Sequence, residues 1–533
     1  MDDRISELPI PIRHHILCLL SQKEAVRTCV LSKQWRHVGS TRPNLEFSEE
    51  WFDNTQEKFV SFVDRTLQGY RDHNLSIHKL HLDFWEPNSV VSLLDKWIPI
   101  IALNIKAFKL NFLSNTPAYY YLPSAILAAE SLEELHLSNC RLSPGESLRF
   151  KCLRTLTLKE VQVDGGTFEK ITWGCPLLRR LVLTNCWGLR NVRLSEAALP
   201  GLKYFELQDS ASIEGRSIGI DVPNLERVSI AGPYIWSHRQ SAFSFSRLTS
   251  LSFYYVILSS ESFDLLSFAC PTLASLALRN CSGFEEFHLA SDSVKLLSIR
   301  TEKILLKGVT ICAPNIVSFD FTADIPQVPD TFSFTTTTSK EWHSHVILSS
   351  WEGDPDLDIN SWFLKLRRML KALSGSSISL SLTMNGGPQD MPCSAVVNDE
   401  PPVVVWSLNF TTFICRTSSW YLGFTNGLFR VCRPSRVSGG SLVSGSDMNY
   451  MLSEFQLNIL LPNKSLVTKP YFWQHDLEQV HVNGELVQYT DLSKLRNRTY
   501  YANEPSREGG TRQGADGLHG CQECALPPRP HCG

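Results

Sequence analysis

Apolar residues recur along the middle of this chain in one six-residue phrase, L-x-x-L-x-L. It appears as LEELHL (Leu132 to Leu137), LRTLTL (Leu153 to Leu158), LRRLVL (Leu178 to Leu183) and LKYFEL (Leu202 to Leu207). It continues as LERVSI (Leu225 to Ile230), LTSLSF (Leu248 to Phe253), LASLAL (Leu273 to Leu278), VKLLSI (Val294 to Ile299) and IVSFDF (Ile316 to Phe321), and IHKLHL (Ile77 to Leu82) and IKAFKL (Ile105 to Leu110) precede them. Within each phrase the alternation has a period of two, which predicts a short strand with one face in a core and the other in solvent. The central apolar residues, from Leu80 to Phe319, follow one another at intervals of 21 to 28 residues.

An interval of this size, held over eleven phrases, is that of a leucine-rich repeat. Each coil cannot bury its own apolar face, so neighbouring coils stack and share one core. Cys140, Cys186 and Cys281 stand in the echoing triplets SNC, TNC and RNC. They occupy the slot where such a repeat takes Asn or Cys to satisfy turning backbone. After about Ala323 the phrase fades, and IPQVPDTFSFTTTTSKEW (Ile325 to Trp342) reads as a Pro- and Thr-rich loop. SWFLKLRRMLKAL (Ser361 to Leu373) predicts a helix, with Trp362, Leu366, Met369 and Leu373 at helical spacing. The strand-like runs SISLSLTM and VVVWSLNF suggest degenerate repeats or a cap over the last core layer.

Ahead of the repeats, LPIPIRHHILCLLSQKEAVRTCVLSKQWRH (Leu8 to His37) is apolar material too short for a core of its own. It is also too long and too charged for a signal peptide. Its pattern, with Leu8, Pro9, Ile16, Leu17, Leu20, Ala25, Val26, Arg27, Leu31, Ser32, Lys33, Trp35 and Arg36, resembles the F-box of plant proteins. The stretch from Phe59 to Phe84 resembles the linker that joins an F-box to leucine-rich repeats in that family. YLGFTNGLFRVCRPSRVS and YFWQHDLEQVHV resemble its C-terminal blocks, so the resemblance spans roughly residues 5–490. Members often carry an acidic residue after Leu-Pro; here Ile10-Pro11-Ile12 replaces it. Proline is tolerated in a first helical turn, so the helix is still expected, without that acidic contact.

The implied architecture is α/β: a small N-terminal three-helix F-box, then a leucine-rich-repeat solenoid (a horseshoe) with a C-terminal cap. The expected divisions are F-box 1–45, helical linker 46–75, repeats 76–325, degenerate repeats or cap 326–500, and a disordered tail 501–533. The resemblance implies the substrate-recognition subunit of an SCF-type ubiquitin ligase. Its F-box would dock onto the ligase adaptor, and through it a cullin, while the solenoid holds an unknown target protein. The adaptor-binding candidates carried over are Leu8, Pro9, Ile16, Leu17, Val26, Leu31 and Trp35, each in the contact or its immediate support. Trp35 is either the aromatic anchor or the residue that holds the three helices together. The alternative is a repeat scaffold that binds proteins without recruiting a ligase.

Between the core leucines, the outward strand positions include Glu134, His136, Lys159, Arg180, Tyr204, Glu206, Arg227, Tyr254, Arg279, Arg300 and Asp320. Of these, Arg180, Tyr204, Arg227, Tyr254, Arg279 and Arg300 are the target-binding candidates. The list mixes both signs with aromatics, which suits a protein partner better than a polyphosphate. The whole chain, with Lys+Arg 51 against Asp+Glu 54 and a net charge of -3, points away from general nucleic-acid binding. No apolar run reaches the ~20 residues that span a bilayer, so no membrane partner and an intracellular home, nucleus or cytoplasm, are expected.

Rival chemistry is thin. Gly215-Arg216-Ser217-Ile218-Gly219 matches G-x-S-x-G, but a nucleophile elbow needs a strand before it and a helix after it. Here the next repeat strand follows. His14-His15 read as helix-surface residues. The tail offers Cys521, Cys524, His531 and Cys532, the donor types of a zinc site, but its Gly- and Pro-rich surroundings favour disorder. No catalytic residue, cofactor or metal is expected. Of the 15 cysteines, Cys140, Cys186 and Cys281, with Cys175 and Cys270 in echoing CP pairs, read as small buried residues of the repeats, and the compartment as reducing.

Overall fold

The structure is a computed structural model. It describes residues 7–487 apart from 21, 29, 52–55, 114–119, 143–149, 211–215, 237–244, 259–269, 302–305, 338–340, 351–357, 385–399, 414–423, 425–426, 440–478 and 483–484. Three short helices come first: α1 (Ile10–Cys18), α2 (Gln22–Thr28) and α3 (Lys33–Ser40). An 18-stranded sheet follows, its strands taken up in chain order. Pairing is parallel from Asn44–Ser48 through Gln479–Val482, and the short Glu485–Val487 adds an antiparallel edge.

Each phrase becomes a strand with its apolar pair turned inward. In Glu134–Ser138 the side chains of Leu135 and Leu137 are buried, and the residues between them are half-exposed. The register aligns them with Leu156 and Leu158, then Leu181 and Leu183, so each coil adds one apolar layer. These layers form one core running from Leu45 to Val437. Helices such as Val91–Ile101, Gly165–Gly174 and Ile359–Ala372 alternate with short strands as the return path.

Turning the chain out of each strand falls to a single backbone position. The residue after the strand has positive φ at Asn139, Glu160, Asn185, Gly232, Tyr255 and Asn280. Each donates its N–H to the next coil, as Asn139 does to Lys159 O at 2.8 Å and Asn185 to Gln208 O at 2.7 Å. Asn adopts this conformation readily, whereas Glu160 and Tyr255 hold it against a steric cost of about 1–2 kcal/mol. The cysteine that follows Asn is buried, and Cys186 Sγ donates to Leu158 O at 3.4 Å. Burial pushes the Cys140 and Cys186 thiols up to about 12 and Cys281 to about 11. A thiol reagent near neutral pH should therefore label the exposed Cys152 and Cys312 in the folded chain. Cys140, Cys186 and Cys281 should react only after unfolding, by mass-spectrometric mapping. Labelling of native Cys186 at the rate of Cys152 would contradict this packing.

Gly283 has φ +95, and a Cβ there would run into the Leu258 carbonyl oxygen of the preceding coil. Gly283→Ala should cost about 2 kcal/mol, visible as a lower urea midpoint, and an unchanged midpoint would remove the close approach from the account.

Two expectations need correction. The stretch from Ile325 to Trp342 is not simply a loop. Thr331–Thr335 is a strand paired with Gly308–Cys312, because Phe332 and Phe334 alternate with small polar residues and pack on Phe319. The segment 46–75 contains the helix Gln56–Asp72, yet Asn44–Ser48 already pairs with Lys79–Phe84, so the sheet starts ahead of the helix. The helix expected at Ser361 to Leu373 is present as Ile359–Ala372. Beyond Ala323, parallel pairing persists through His343–Ser350, Ser377–Met384, Val403–Phe413 and Cys432–Gly439. No helix among the described residues is long and apolar enough to cross a membrane.

Candidate functional site

The N-terminal helices owe their ends to local chemistry. Pro9 caps α1 and Pro11 sits in its first turn, where a missing N–H is harmless. Ser32 caps α3 by accepting a hydrogen bond from the Trp35 N–H at 3.2 Å. The three helices close around Leu17, Ala25, Trp35 and Val38, with Ile16 and Leu20 packed beside them. This cluster is separate from the core of the sheet. Tyr70 ties the unit down by donating its hydroxyl to Arg42 O at 2.8 Å, and burial pushes that phenol up to about 12.

The carried-over residues therefore divide. Leu17 and Trp35 are 0% and 4% exposed, so they support the unit from within and present no surface to a partner. Leu8 and Ile16 are half-buried, and Pro9 is exposed. Val26 lies in α2 and its side chain is outside the described residues. Leu31 is 68% exposed, and it is joined by Leu19 at 74% and Val30 at 81%, neither of which sequence reasoning singled out. Ile10 and Ile12 in the first turn are exposed as well. The missed signal was local: Leu19 follows α1 and Val30–Leu31 precede α3, so apolar residues occupy the inter-helix turns where polar ones are usual. Exposed apolar residues gathered on one small unit make it a candidate interaction surface.

The outward face of the sheet is the second surface. At its N-terminal end it is an imidazole–carboxylate network. His81 Nδ1 lies 3.1 Å from Glu46 Oε1 and its Nε2 lies 2.8 Å from Asp83 Oδ1, while Asn111 donates to Asp83 at 2.6 Å. Burial pushes the Asp83 carboxyl up, but the contacts from His81 and Asn111 outweigh it and hold it below its ordinary value. Burial likewise lowers His136.

The six target-binding candidates fall into two groups. Arg180, Tyr204 and Arg227 are lateral neighbours at the starts of consecutive strands. Tyr254, Arg279 and Arg300 are neighbours at the opposite strand ends. The guanidinium of Arg180 stacks 3.7 Å from the centre of the Tyr204 ring, whose hydroxyl donates to Glu206 at 2.6 Å. Tyr254 packs edge-on against Tyr255.

The rival chemistry does not assemble. Gly215 is outside the described residues, and Ser217 lies inside the strand Arg216–Asp221, donating to Asn191 Oδ1 at 2.7 Å. No turn into a helix follows it. His14 is 3.1 Å from Thr41 Oγ1, and His15 faces solvent. Among the described residues no group of three or more His, Cys, Asp or Glu is placed to hold a metal. Cys521, Cys524, His531 and Cys532 lie outside the described residues.

Comparison with known proteins gives matches to the N-terminal helices and to part of the repeats. An F-box domain model matches residues 5–46. A repeat model described as FBD-associated F-box protein At5g56370, LRR repeats, matches residues 94–241. F-box/LRR-repeat protein 25 of Arabidopsis thaliana is 32% identical over 197 residues, 37% of this chain and 72% of that protein. F-box/LRR-repeat protein At3g59200 of the same organism is 32% identical over 245 residues, 42% of this chain and 44% of the relative. Putative F-box protein At1g49610 is 33% identical over 217 residues, 39% and 50% respectively. The chain thus spans about half the length of these last two relatives.

Proposed function

The chain belongs to the F-box/LRR-repeat family, and from that membership we propose that it is the substrate-recognition subunit of an SCF-type ubiquitin ligase. The three-helix unit docks onto the ligase adaptor, and the solenoid presents its outward sheet face to a target protein. The observation that carries this reading is the exposure of Leu19, Val30 and Leu31 on a helical unit whose own core is already closed. Among the described residues these side chains are left largely uncovered. An adaptor surface that covers them recovers the hydrophobic free energy that the free chain forgoes.

No chemical step is assigned to this chain. Holding a target beside the ubiquitin-transfer machinery raises the effective concentration of its lysines, and that proximity is the contribution. Leu17 and Trp35 fix the relative angles of the helices and so position the contact residues without touching the partner.

Tagged chain expressed in plant cells should recover the adaptor and a cullin, and a bound protein should accumulate when the proteasome is inhibited. Removing residues 1–40 should abolish recovery of adaptor and cullin while leaving the accumulated partner bound. Recovery of partner proteins by the intact chain, with neither adaptor nor cullin present, would instead support a repeat scaffold independent of the ligase.

A further inference from the structure

We propose that the segment this sheet face recognises is acidic: an Asp/Glu-rich stretch of the target protein, laid diagonally across the strands from Arg180 to Arg300. The proposal rests on the reading of the solenoid as the target-binding element and adds the chemistry of the target. On the seven strands from Thr155–Lys159 to Leu296–Thr301, the outward positions carry Lys159, Arg180, Arg227, Arg279 and Arg300. The acidic side chain among those positions is Glu206, and it is engaged by the Tyr204 hydroxyl. The other acidic outward residues lie on flanking strands, Glu46, Asp83 and Glu134 on one side and Asp320, the register neighbour of Ser298, on the other. Lys159 lies 3.9 Å from Glu160, so the positive character of this middle stretch rests on the four arginines.

The geometry of these cations fits a peptide. Arg279 and Arg300 are adjacent in register, and strand spacing puts their backbones about 5 Å apart. Arg180 and Arg227 flank Tyr204 at the opposite strand ends. Between the two groups the floor is small and in register, with Ser229, Ser252, Ala277 and Ser298 on consecutive strands. A backbone can lie on that floor while its carboxylates reach arginines on both sides. Arg180 is pinned on the Tyr204 ring, so part of its ordering cost is met before binding.

Single-stranded nucleic acid fits less well. It needs open aromatic faces for base stacking. Here the Tyr204 ring is covered by Arg180, and Tyr254 is packed against Tyr255. Four arginines split between two edges also fall short of a continuous phosphate track.

Fluorescence anisotropy with the full chain tests this directly. The probes are a fluorescein-labelled peptide of alternating Glu and Ser, about twelve residues long to span the diagonal, its Lys/Ser counterpart, and an oligouridine of similar length. The Glu/Ser peptide should bind, weaken as salt rises, and lose about tenfold or more in affinity in Arg227→Glu/Arg279→Glu. The same charge change off the sheet, Lys58→Glu/Arg65→Glu on the helix Gln56–Asp72, should leave binding unchanged. No binding of the Glu/Ser peptide, equal losses in the two variants, or tighter binding of oligouridine would overturn the proposal. Adaptor capture by the same proteins separates this from the ligase reading. Peptide binding without adaptor capture would sink the ligase role and leave the acidic-segment assignment standing, and capture without peptide binding would do the reverse.

Discussion

Leu19→Asp/Leu31→Asp should bind the SCF adaptor about a hundredfold more weakly than the unaltered chain, with helix content and the unfolding midpoint unchanged. Both side chains already sit in water, so their replacement removes little folding free energy. At an interface the same aspartates would have to shed water against an apolar partner surface, which costs a few kcal/mol per site. Trp35→Ala is the instructive contrast. Its ring is one of four buried apolar residues in the unit, and loss of such a ring costs about 3–5 kcal/mol. That variant should lose adaptor binding together with helix content, reporting on folding and not on a contact. Pull-down alongside circular dichroism distinguishes the two. Normal adaptor binding by the double aspartate variant would move the docking surface away from these turns.

Asp209→Ala should destabilise the solenoid by about 3–5 kcal/mol, as much as loss of a buried aromatic ring. Asp209 and Arg216 are 7% and 3% exposed and form an ion pair, and Tyr234 donates its hydroxyl to Asp209 Oδ2 at 3.2 Å. Removing the carboxylate strands a guanidinium inside the coil, and the Tyr234 hydroxyl loses its acceptor with it. Paired replacement by apolar residues, Asp209→Leu with Arg216→Met, should recover most of the loss, because no buried charge then remains. Urea unfolding followed by circular dichroism gives both numbers. If the double variant is as unstable as Asp209→Ala, the loss comes from packing geometry and not from the stranded charge.

The repeats were legible because two periods coincide in them: alternation within a strand and a recurrence near two dozen residues. Leu135, Leu156 and Leu181 announce one core column in the sequence itself. Thr331–Thr335 was not legible, since its two phenylalanines sit among threonines and a proline that read as loop, and only the phenylalanine cluster explains them. The exits at Glu160 and Tyr255 were equally hidden, because nothing in those side chains favours positive φ. The N-terminal unit was legible as a unit, but its pattern did not separate inside from outside. Leu17, Leu31 and Trp35 look alike as apolar positions. Helix packing then buries the first and third and leaves the second in solvent. On the sheet, a mixture of charges along the sequence became two arginine groups flanked by acids, because register places residues about two dozen apart side by side.

Under the proposed function this chain joins a ligase through its N-terminal helices. Size-exclusion chromatography of purified full-length chain mixed with purified SCF adaptor tests it most directly. Co-elution as a one-to-one complex, lost in Leu19→Asp/Leu31→Asp, is the predicted result. Separate elution of adaptor and a folded, unaltered chain would contradict it.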